Sequence, residues 1–596
     1  MSYDIVKKYN LPIVGKWFIL GTIVGIVAGI AAILFYTLMQ LSSNLLLGYL
    51  SGYIPPEATG EVTIFEHYNT EFRRYMLIIT PVLGALISGI FIIKFAPEAE
   101  GAGLEATVSS IHKHNGIIRW QVPLIKTFTS SITIGSGGSG GGEGPISHIG
   151  AGIGSVLSQI FHLTDKERRI LAAAGMGAGV GAIFRSPLAG AIFAAEVLYS
   201  SSDMEYEALL PSTITSIIAY SIFCSIFGWS PLFHTIDAKF ANPLELVGYT
   251  ILIVMVVLIG HFYTKVYHKV KIYFELIKLN KLQKMLLGGL LTGVIGFFVP
   301  EVLGAGYFII DQSIMSDITI NMLIILIFAK IFATSFTIGS GGSAGTFAPT
   351  MVIGASVGGL VGNILFKYFP SLVSNPGTFA IVGMAGFLAG LAKTPLSAII
   401  LVSELTGNYH LIVPAMWVST LSFLALRKVK FYKSQMQFRS DSPIHKNEYF
   451  LMVLQDIRVG NVMKKDPITI PEGMKFKDII NFISSTKHNS FPVITIENKL
   501  IGVLKFEEIR EFVFEEGLEE LVIASELCDK DSPMITPDKS LAASIEMIGT
   551  MNVELLPVVD SLENRKLIGI ITRRDIIKIY NKEMLKQKNI MEENIF

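Results

Sequence analysis

The sequence predicts a multi-span α-helical membrane protein with an inverted internal repeat and broken inner helices, followed by a soluble α/β pair of smaller repeats. Three observations lead there. Apolar stretches recur through the first 427 residues, several of them near the roughly 20 residues that a helix needs to cross a bilayer. Two Gly-rich segments in that part are near copies, TIGSGGSGGGEGPISHIGAGIGS from Thr133 and TIGSGGSAGTFAPTMVIGASVGG from Thr337. Beyond Arg427 charge becomes dense and a second, unrelated duplication begins. Of the 596 residues 51% are hydrophobic and only 16% charged. A soluble protein carries about 25% charge, so the first part is read as the membrane part.

Lys7, Lys8 and Lys16 precede the first apolar stretch, 17–47, and Arg427, Lys428, Lys430 and Lys433 follow the last, 411–426. Basic residues flank spans on the cytoplasmic side, so both termini are expected there, with the protein in the cell membrane. The first stretch is too long for a signal-peptide core of about 7–15 residues. Further spans are expected at 76–96, 209–227, 244–266, 285–299 and 318–336. The loop 51–74 holds Glu57, Glu61, Glu66 and Glu71 in excess of bases and is expected to face outward. Shorter apolar pieces, interrupted by Gly and Pro, lie at 101–110, 122–134, 146–161, 171–184, 188–199, 348–365, 380–392 and 396–405. Interrupted backbone is tolerated at membrane depth only where protein or a cavity surrounds it. The short pieces are therefore expected inside and the long ones as an outer wall. Lys126, Arg185 and Lys393 lie beside these pieces, where snorkelling or an interfacial role is the default.

The repeat continues past the Gly-rich copies. GMGAGVGAIFRSPLAGAIFAAE, from Gly175, matches GMAGFLAGLAKTPLSAIILVSE, from Gly383, in the spacing of Gly, Pro and the final Glu196 and Glu404. Gly-interrupted helices at matching places in two halves point to a transporter with a site between them. Neither Gly-rich copy contains Lys or Arg. An anion can still be held there, because helix N-termini offer free N–H groups and a partial positive charge, and neutral donors bind weakly enough to let an ion leave. The plainer reading is that the Gly runs permit close helix packing. The copies differ at one telling place: Glu143 stands where the other has Phe347. An acid at membrane depth usually marks an ion or proton path. Ionised, it competes with an anion for the same donors; protonated, it leaves. The alternative is a helix-capping carboxylate. His148 reads as a packed helix histidine rather than a relay, and Glu196 as a structural helix acid.

Several classes are excluded. No GK[ST] follows either Gly run, which argues against a phosphate loop. Cys224 and Cys528 are far apart with no CxxC pair, so neither a disulfide framework nor a metal site is expected. Lys plus Arg and Asp plus Glu both number 48, so nucleic acid is not an expected partner. No HExxH motif occurs, and no enzyme is expected.

In the tail, VMKKDPITIPEGMKFKDIINFISSTKHNSFPVI, from Val462, is echoed by LCDKDSPMITPDKSLAASIEMIGTMNVELLPVVD, from Leu527, and KLIGVLKFEEI by KLIGIITRRDI. Each unit reads strand, amphipathic helix, strand, turn, strand, helix. Units this small are expected to pair into one globule.

These residues resemble a known family. The membrane part is similar to the CLC chloride channels and transporters over most of its length. GGEGP at 141–145 resembles the family's GREGP, which makes Glu143 the gating glutamate. GTFAP at 345–349 resembles GIFAP, whose backbone holds the anion. FYKSQ at 431–435 resembles the stretch bearing an anion-coordinating Tyr, here Tyr432. The resemblance implies anion binding by Ala102, Gly103, Gly142, Gly144, Thr346, Phe347 and Tyr432, and a homodimer with one pore per subunit. Three departures stand out. GSGIP reads GAGLE here, at 101–105, so Ala102 replaces a Ser whose hydroxyl contacts the anion. GREGP loses its Arg to Gly142. FIIEE reads FAAEV, so Val197 stands where exchangers carry an inner proton-accepting acid. The tail resembles tandem CBS domains. GIITRRD in the second unit keeps the ribose-binding pattern with Thr572 and Asp575, while Lys505 and Glu508 replace it in the first. The resemblance implies one adenine nucleotide (ATP, ADP or AMP) as the tail's ligand, and no other cofactor.

The expected organisation is a transport domain at 1–434 with repeat halves at about 76–228 and 285–427, a linker at 435–458, CBS units at 459–520 and 521–584, and a tail at 585–596. The expected function is transport of chloride across the membrane as weakly coupled proton/chloride antiport, regulated by the CBS pair. The alternatives are a passive voltage- or pH-gated chloride channel and, from another class, a membrane-anchored nucleotide sensor.

Overall fold

Apolar runs in the membrane part fold as helices, because surrounding hydrocarbon leaves backbone N–H and C=O groups no partner but each other. In chain order these are α1 (Ile13–Ser43), α2 (Met76–Phe95), α3 (Leu104–Lys113), α4 (Gln121–Gly135), α5 (Glu143–Ile160), α6 (Asp165–Ile183), α7 (Pro187–Glu196) and α8 (Tyr206–Phe227). They continue with α9 (Glu245–Leu276), α10 (Lys281–Phe298), α11 (Tyr307–Met315), α12 (Ile320–Gly339), α13 (Phe347–Tyr368), α14 (Pro376–Ala392), α15 (Pro395–Thr406) and α16 (Ile412–Ala425). The computed structural model describes residues 13–593 except 67, 69, 234, 236–238, 446–449, 451–452, 487 and 510–519. It has two units, Met1–Ile444 and His445–Phe596.

Seven described helices are long and apolar enough to cross a membrane: α1 with its continuation to Tyr49, α2, α8, α9, α10, α12 and α13. Six coincide with expected spans. The stretch 411–426, expected to span, forms only the 14-residue α16. Conversely 348–365, expected as a short inner piece, belongs to the unbroken 22-residue α13. Length therefore does not sort wall from interior, since 83% of α13's most apolar window is buried, against 33% to 56% for the other six. The glycines that suggested a broken helix serve packing instead. A Cβ on Gly354 would lie 2.7 Å from the Gly383 carbonyl, and one on Gly358 2.0 Å from that of Phe379. The first half repeats this contact between α5 and α6, where Gly150 faces the Gly175 carbonyl at 2.1 Å and Gly154 that of Leu171 at 2.0 Å.

Reciprocal bonds tie the halves together in the pattern a two-fold axis between them produces. Gly141 donates its N–H to the Gly345 carbonyl at 2.9 Å, and Gly345 donates to Gly141 at 2.7 Å. The Glu196 carboxylate, ending α7, accepts from Leu396 N and Ser397 N at 3.0 and 2.8 Å, at the start of α15. Glu404, near the end of α15, accepts from Leu188 N and Ala189 N at 3.4 and 3.0 Å, at the start of α7. Carboxylates at helix N-termini satisfy orphan donors and oppose the dipole, so both glutamates are structural.

The basic side chains depart from expectation. Lys126 and Lys393 do not snorkel: both are fully buried, and Arg185 nearly so. Carbonyl oxygens replace the water each group gives up. Lys393 donates to Gly390 O and Leu426 O at 2.9 and 2.6 Å, and Arg185 to Ser230 O at 2.8 Å. His148 is packed inside α5 at 2% exposure.

In the second unit the first repeat follows the expected order: β1 (Ile470–Pro471), α17 (Phe476–Ser484), β2 (Ser490–Ile494), β3 (Leu500–Lys505) and α18 (Phe506–Ile509). β1 and β2 pair parallel, β2 and β3 antiparallel. The second repeat has α19 (Leu541–Thr550), antiparallel β4 (Leu555–Val559) and β5 (Leu567–Thr572), and α20 (Arg573–Glu593). Its leading strand shrinks to a single parallel bridge, Ile535 to Val558. The lead segments are exchanged between repeats: Lys464 bridges Ile570, and Asp529 bridges Val503. That exchange joins the two repeats into one globule.

Candidate functional site

Three Gly-containing loops, at 101–103, 141–142 and 345–346, lead into the N-termini of α3, α5 and α13. They touch through bare backbone. Gly103 has φ +80°, and a Cβ there would lie 2.7 Å from the Gly144 carbonyl. A Cβ on Gly144 would lie 2.2 Å from Ala102 O and 3.0 Å from Gly345 Cα. Glycine is required because side chains would part the loops.

Where they meet is a cavity of about 10 Å³ lined by Leu104, Glu143, Gly144, Ser147, Val180, Phe184, Phe193, Thr346, Phe347 and Tyr432. That is about one water-sized particle. Glu143 is 1% exposed. Its Oε2 accepts from Ala348 N at 3.3 Å, in the first turn of α13. Its Oε1 is buried without a hydrogen-bond partner among the described residues. The Tyr432 hydroxyl and Thr346 Oγ1 are 2.8 Å apart, and Phe184 and Phe193 flank the Phe347 ring, with centroids 5.6 and 5.5 Å away. The carboxylate thus covers a helix-terminal amide of the opposite half, in a buried chamber that also holds two hydroxyls. Such a chamber can hold a small anion when the carboxylate withdraws.

Not every predicted residue lines this chamber. Ala102 and Gly103 line a wider cavity of about 470 Å³, shared with Glu105, Tyr267 and Lys271. Gly142 faces Phe35 and Ile183, whose atoms would lie 3.0 and 3.2 Å from a Cβ. Val197 is fully buried; its N–H donates to Phe193 O and its carbonyl accepts from Gln435 Nε2 at 2.8 Å. In the second unit, Thr572 Oγ1 donates to Asp575 Oδ2 at 2.6 Å, and Lys464 Nζ is 3.1 Å from Asp575 Oδ1.

Two features escaped the sequence reading. The loops PEAEGAG, from Pro97, and PEVLGAG, from Pro300, are repeat mates, and each is held by a buried lysine seven residues before TIGSGG. Lys126 Nζ donates to Ala99 O and Gly101 O at 2.9 and 2.7 Å. Lys330 Nζ donates to Val302 O and Gly304 O at 2.9 and 2.8 Å. The shared offset was the available signal. A second cavity, about 130 Å³, lies beside residues 304–306 as the wide one lies beside 101–103, and Glu57, Glu61 and Glu301 line it.

The comparisons agree with this geometry. The family model described as voltage gated chloride channel matches residues 84–427, and the CBS domain model matches 459–515 and 524–582. The chain therefore belongs to the voltage-gated chloride channel (CLC) family, carries two CBS domains, and is an integral membrane protein. The H(+)/Cl(−) exchange transporter ClcA of Citrobacter koseri is 31% identical over 353 residues, covering 57% of this chain and 74% of that protein. An uncharacterized protein of Methanocaldococcus jannaschii is 27% identical over 416 residues, covering 70% of this chain and 94% of that one. Among solved structures, a slow cyanobacterial Cl−/H+ antiporter aligns with TM-score 0.61 at 23% identity, covering 70% of this chain and 96% of that one. A eukaryotic CLC transporter aligns with TM-score 0.55 at 18% identity over 94% of this chain and 98% of that one. Both likenesses establish fold.

Proposed function

We propose that the chain is an anion transporter, with chloride as substrate, that exchanges chloride for protons. The observation that carries this is the Glu143 carboxylate seated on Ala348 N where the three loops meet. Ionised, Glu143 occupies the amide. Protonated, it loses that attraction and withdraws, and a chloride takes its place against the backbone of 346–348 and the Thr346 and Tyr432 hydroxyls. One group thus answers to both protons and anions. Gly103, Gly142, Gly144 and Phe347 shape the path as backbone, and Ala102 contributes no hydroxyl to it.

Weak coupling is part of the reading, because Val197 supplies no carboxylate and is fully buried. The same observation favours the second reading, a passive channel. Chloride-driven uphill proton movement in proteoliposomes decides between them. Glu143→Gln is expected to abolish proton movement while chloride flux persists. Proton pumping that survives the substitution refutes the assignment, and passive flux without pumping in the unaltered protein makes it a channel. Absence of any chloride flux leaves the membrane-anchored nucleotide sensor.

Both termini are assigned to the cytoplasm of the cell membrane, with the transport domain at 1–434 acting as a homodimer and residues 435–458 linking it to the CBS pair. Thr572 and Asp575 are assigned to the ribose of one adenine nucleotide per subunit, through which the pair regulates transport. The wide cavity, lined by Lys271, Lys281 and Lys284, is assigned to the cytoplasmic face on the bias of basic residues toward that side, and the acid-lined cavity at 304–306 to the outer face.

A further inference from the structure

The wide cavity carries an inference that rests on the anion-transport reading but not on proton coupling. Three lysines line it, and each is engaged. Lys281 pairs with Glu100, Lys284 Nζ donates to the Glu275 carbonyl at 3.1 Å, and Lys271 Nζ lies 3.5 Å from Glu105 Oε2. Glu105 also faces the chamber side. Its Oε1 accepts from Lys433 N at 2.9 Å, and Lys433 follows Tyr432, which lines the small chamber with Glu143. The pair therefore bridges α3 and α9, with Glu105 lining the wide cavity and its chain neighbour Leu104 lining the narrow one.

We propose that Glu105 sets anion access from the inner side: it neutralises Lys271, a cation lining the wide cavity, and so lowers the capture of substrate at the mouth. The pair is not needed to hold the fold. Its side chains are 25% and 41% exposed, and ion pairs in water contribute little to stability. Nor does the loop require an acid. In the repeat mate GAGYF the matching residue is Phe308, which lines the cavity at 304–306. What the carboxylate changes is charge. A cleft with one unopposed sign of charge concentrates counter-ions, and a single partly screened charge corresponds to about a three- to tenfold change in half-saturation.

The test is chloride efflux from proteoliposomes of the full chain against chloride concentration, at low ionic strength and again with an impermeant salt. Glu105→Gln keeps an acceptor for Lys433 N and removes the charge; half-saturating chloride is expected to fall about three- to tenfold. Lys271→Met leaves Glu105 unopposed and is expected to raise it. The double variant restores neutrality and is expected to return near the unaltered value, and added salt is expected to shrink every shift. An unchanged Glu105→Gln, a double variant without compensation, or shifts that persist in high salt overturn the inference while leaving the transport reading in place. If the unaltered chain releases no chloride, the transport reading itself fails.

Discussion

Replacing Lys330 with Met tests how the loop PEVLGAG is held. Met keeps an unbranched chain, one heavy atom shorter, but cannot donate, so Val302 O and Gly304 O lose their bonds from Lys330. Gly304 O keeps the Gly140 N–H at 3.2 Å. Val302 O is left without a donor among the described residues, in a buried position. A buried orphan carbonyl costs about 1–3 kcal/mol, and relief from burying the amino group offsets part of it; the net expectation is a loss of ~2 kcal/mol. Lys126→Met is the internal control. Ala99 O keeps the Ser343 hydroxyl at 2.9 Å. Gly101 O is only part-buried and borders the wide cavity, so water can replace the lost donor. Its expected loss is ~1 kcal/mol or less. Thermal unfolding of the detergent-solubilised full chain measures both. An undiminished Lys330→Met, or Lys126→Met as the worse variant, refutes the reasoning.

Gly144→Ala forces a Cβ against Ala102 O and Gly345 Cα; a destabilisation of at least ~1–3 kcal/mol and loss of chloride flux are expected, and normal flux would contradict the close approach of the loops. Tyr432→Phe deletes the hydroxyl that meets Thr346 and is expected to weaken chloride binding by ~1 kcal/mol in calorimetry; unchanged affinity removes Tyr432 from the anion site. Ala102→Ser adds a donor beside the path and is expected to shift preference from nitrate toward chloride by ~1 kcal/mol, read from competition fluxes. Asp575→Ala is expected to abolish binding of a single adenine nucleotide per subunit to the full chain, and binding that survives, or a stoichiometry of two, rules out the site at Thr572.

Much of the architecture was legible because the chain is duplicated. TIGSGGS at Thr133 and Thr337, and the matched Glu196 and Glu404, announced two halves, and the reciprocal caps of those glutamates are the physical consequence. The family resemblance, read from GGEGP, GTFAP and FYKSQ, agrees with the family match over 84–427. Helix lengths were less legible. Glycines in 348–365 look like breaks, yet in α13 Gly354, Gly358 and Gly362 are places where another backbone comes within reach, a distinction that depends on the neighbour. Lys126 and Lys393 looked interfacial because their carbonyl partners are remote or local turns that carry no side-chain signature.

By itself the sequence determined that there is a membrane part and a soluble pair, that each is duplicated, and that one half carries an acid where the other carries Phe. These are properties of composition, period and spacing, which local chemistry dictates. The tertiary structure decided that the starts of three helices distant in sequence share one chamber, that Glu143 rests on an amide of the opposite half, and that Ala102, Gly103, Gly142 and Val197 lie outside it. Those outcomes depend on how closely bare backbones can approach, a quantity set by the packing of both halves at once and by no single segment.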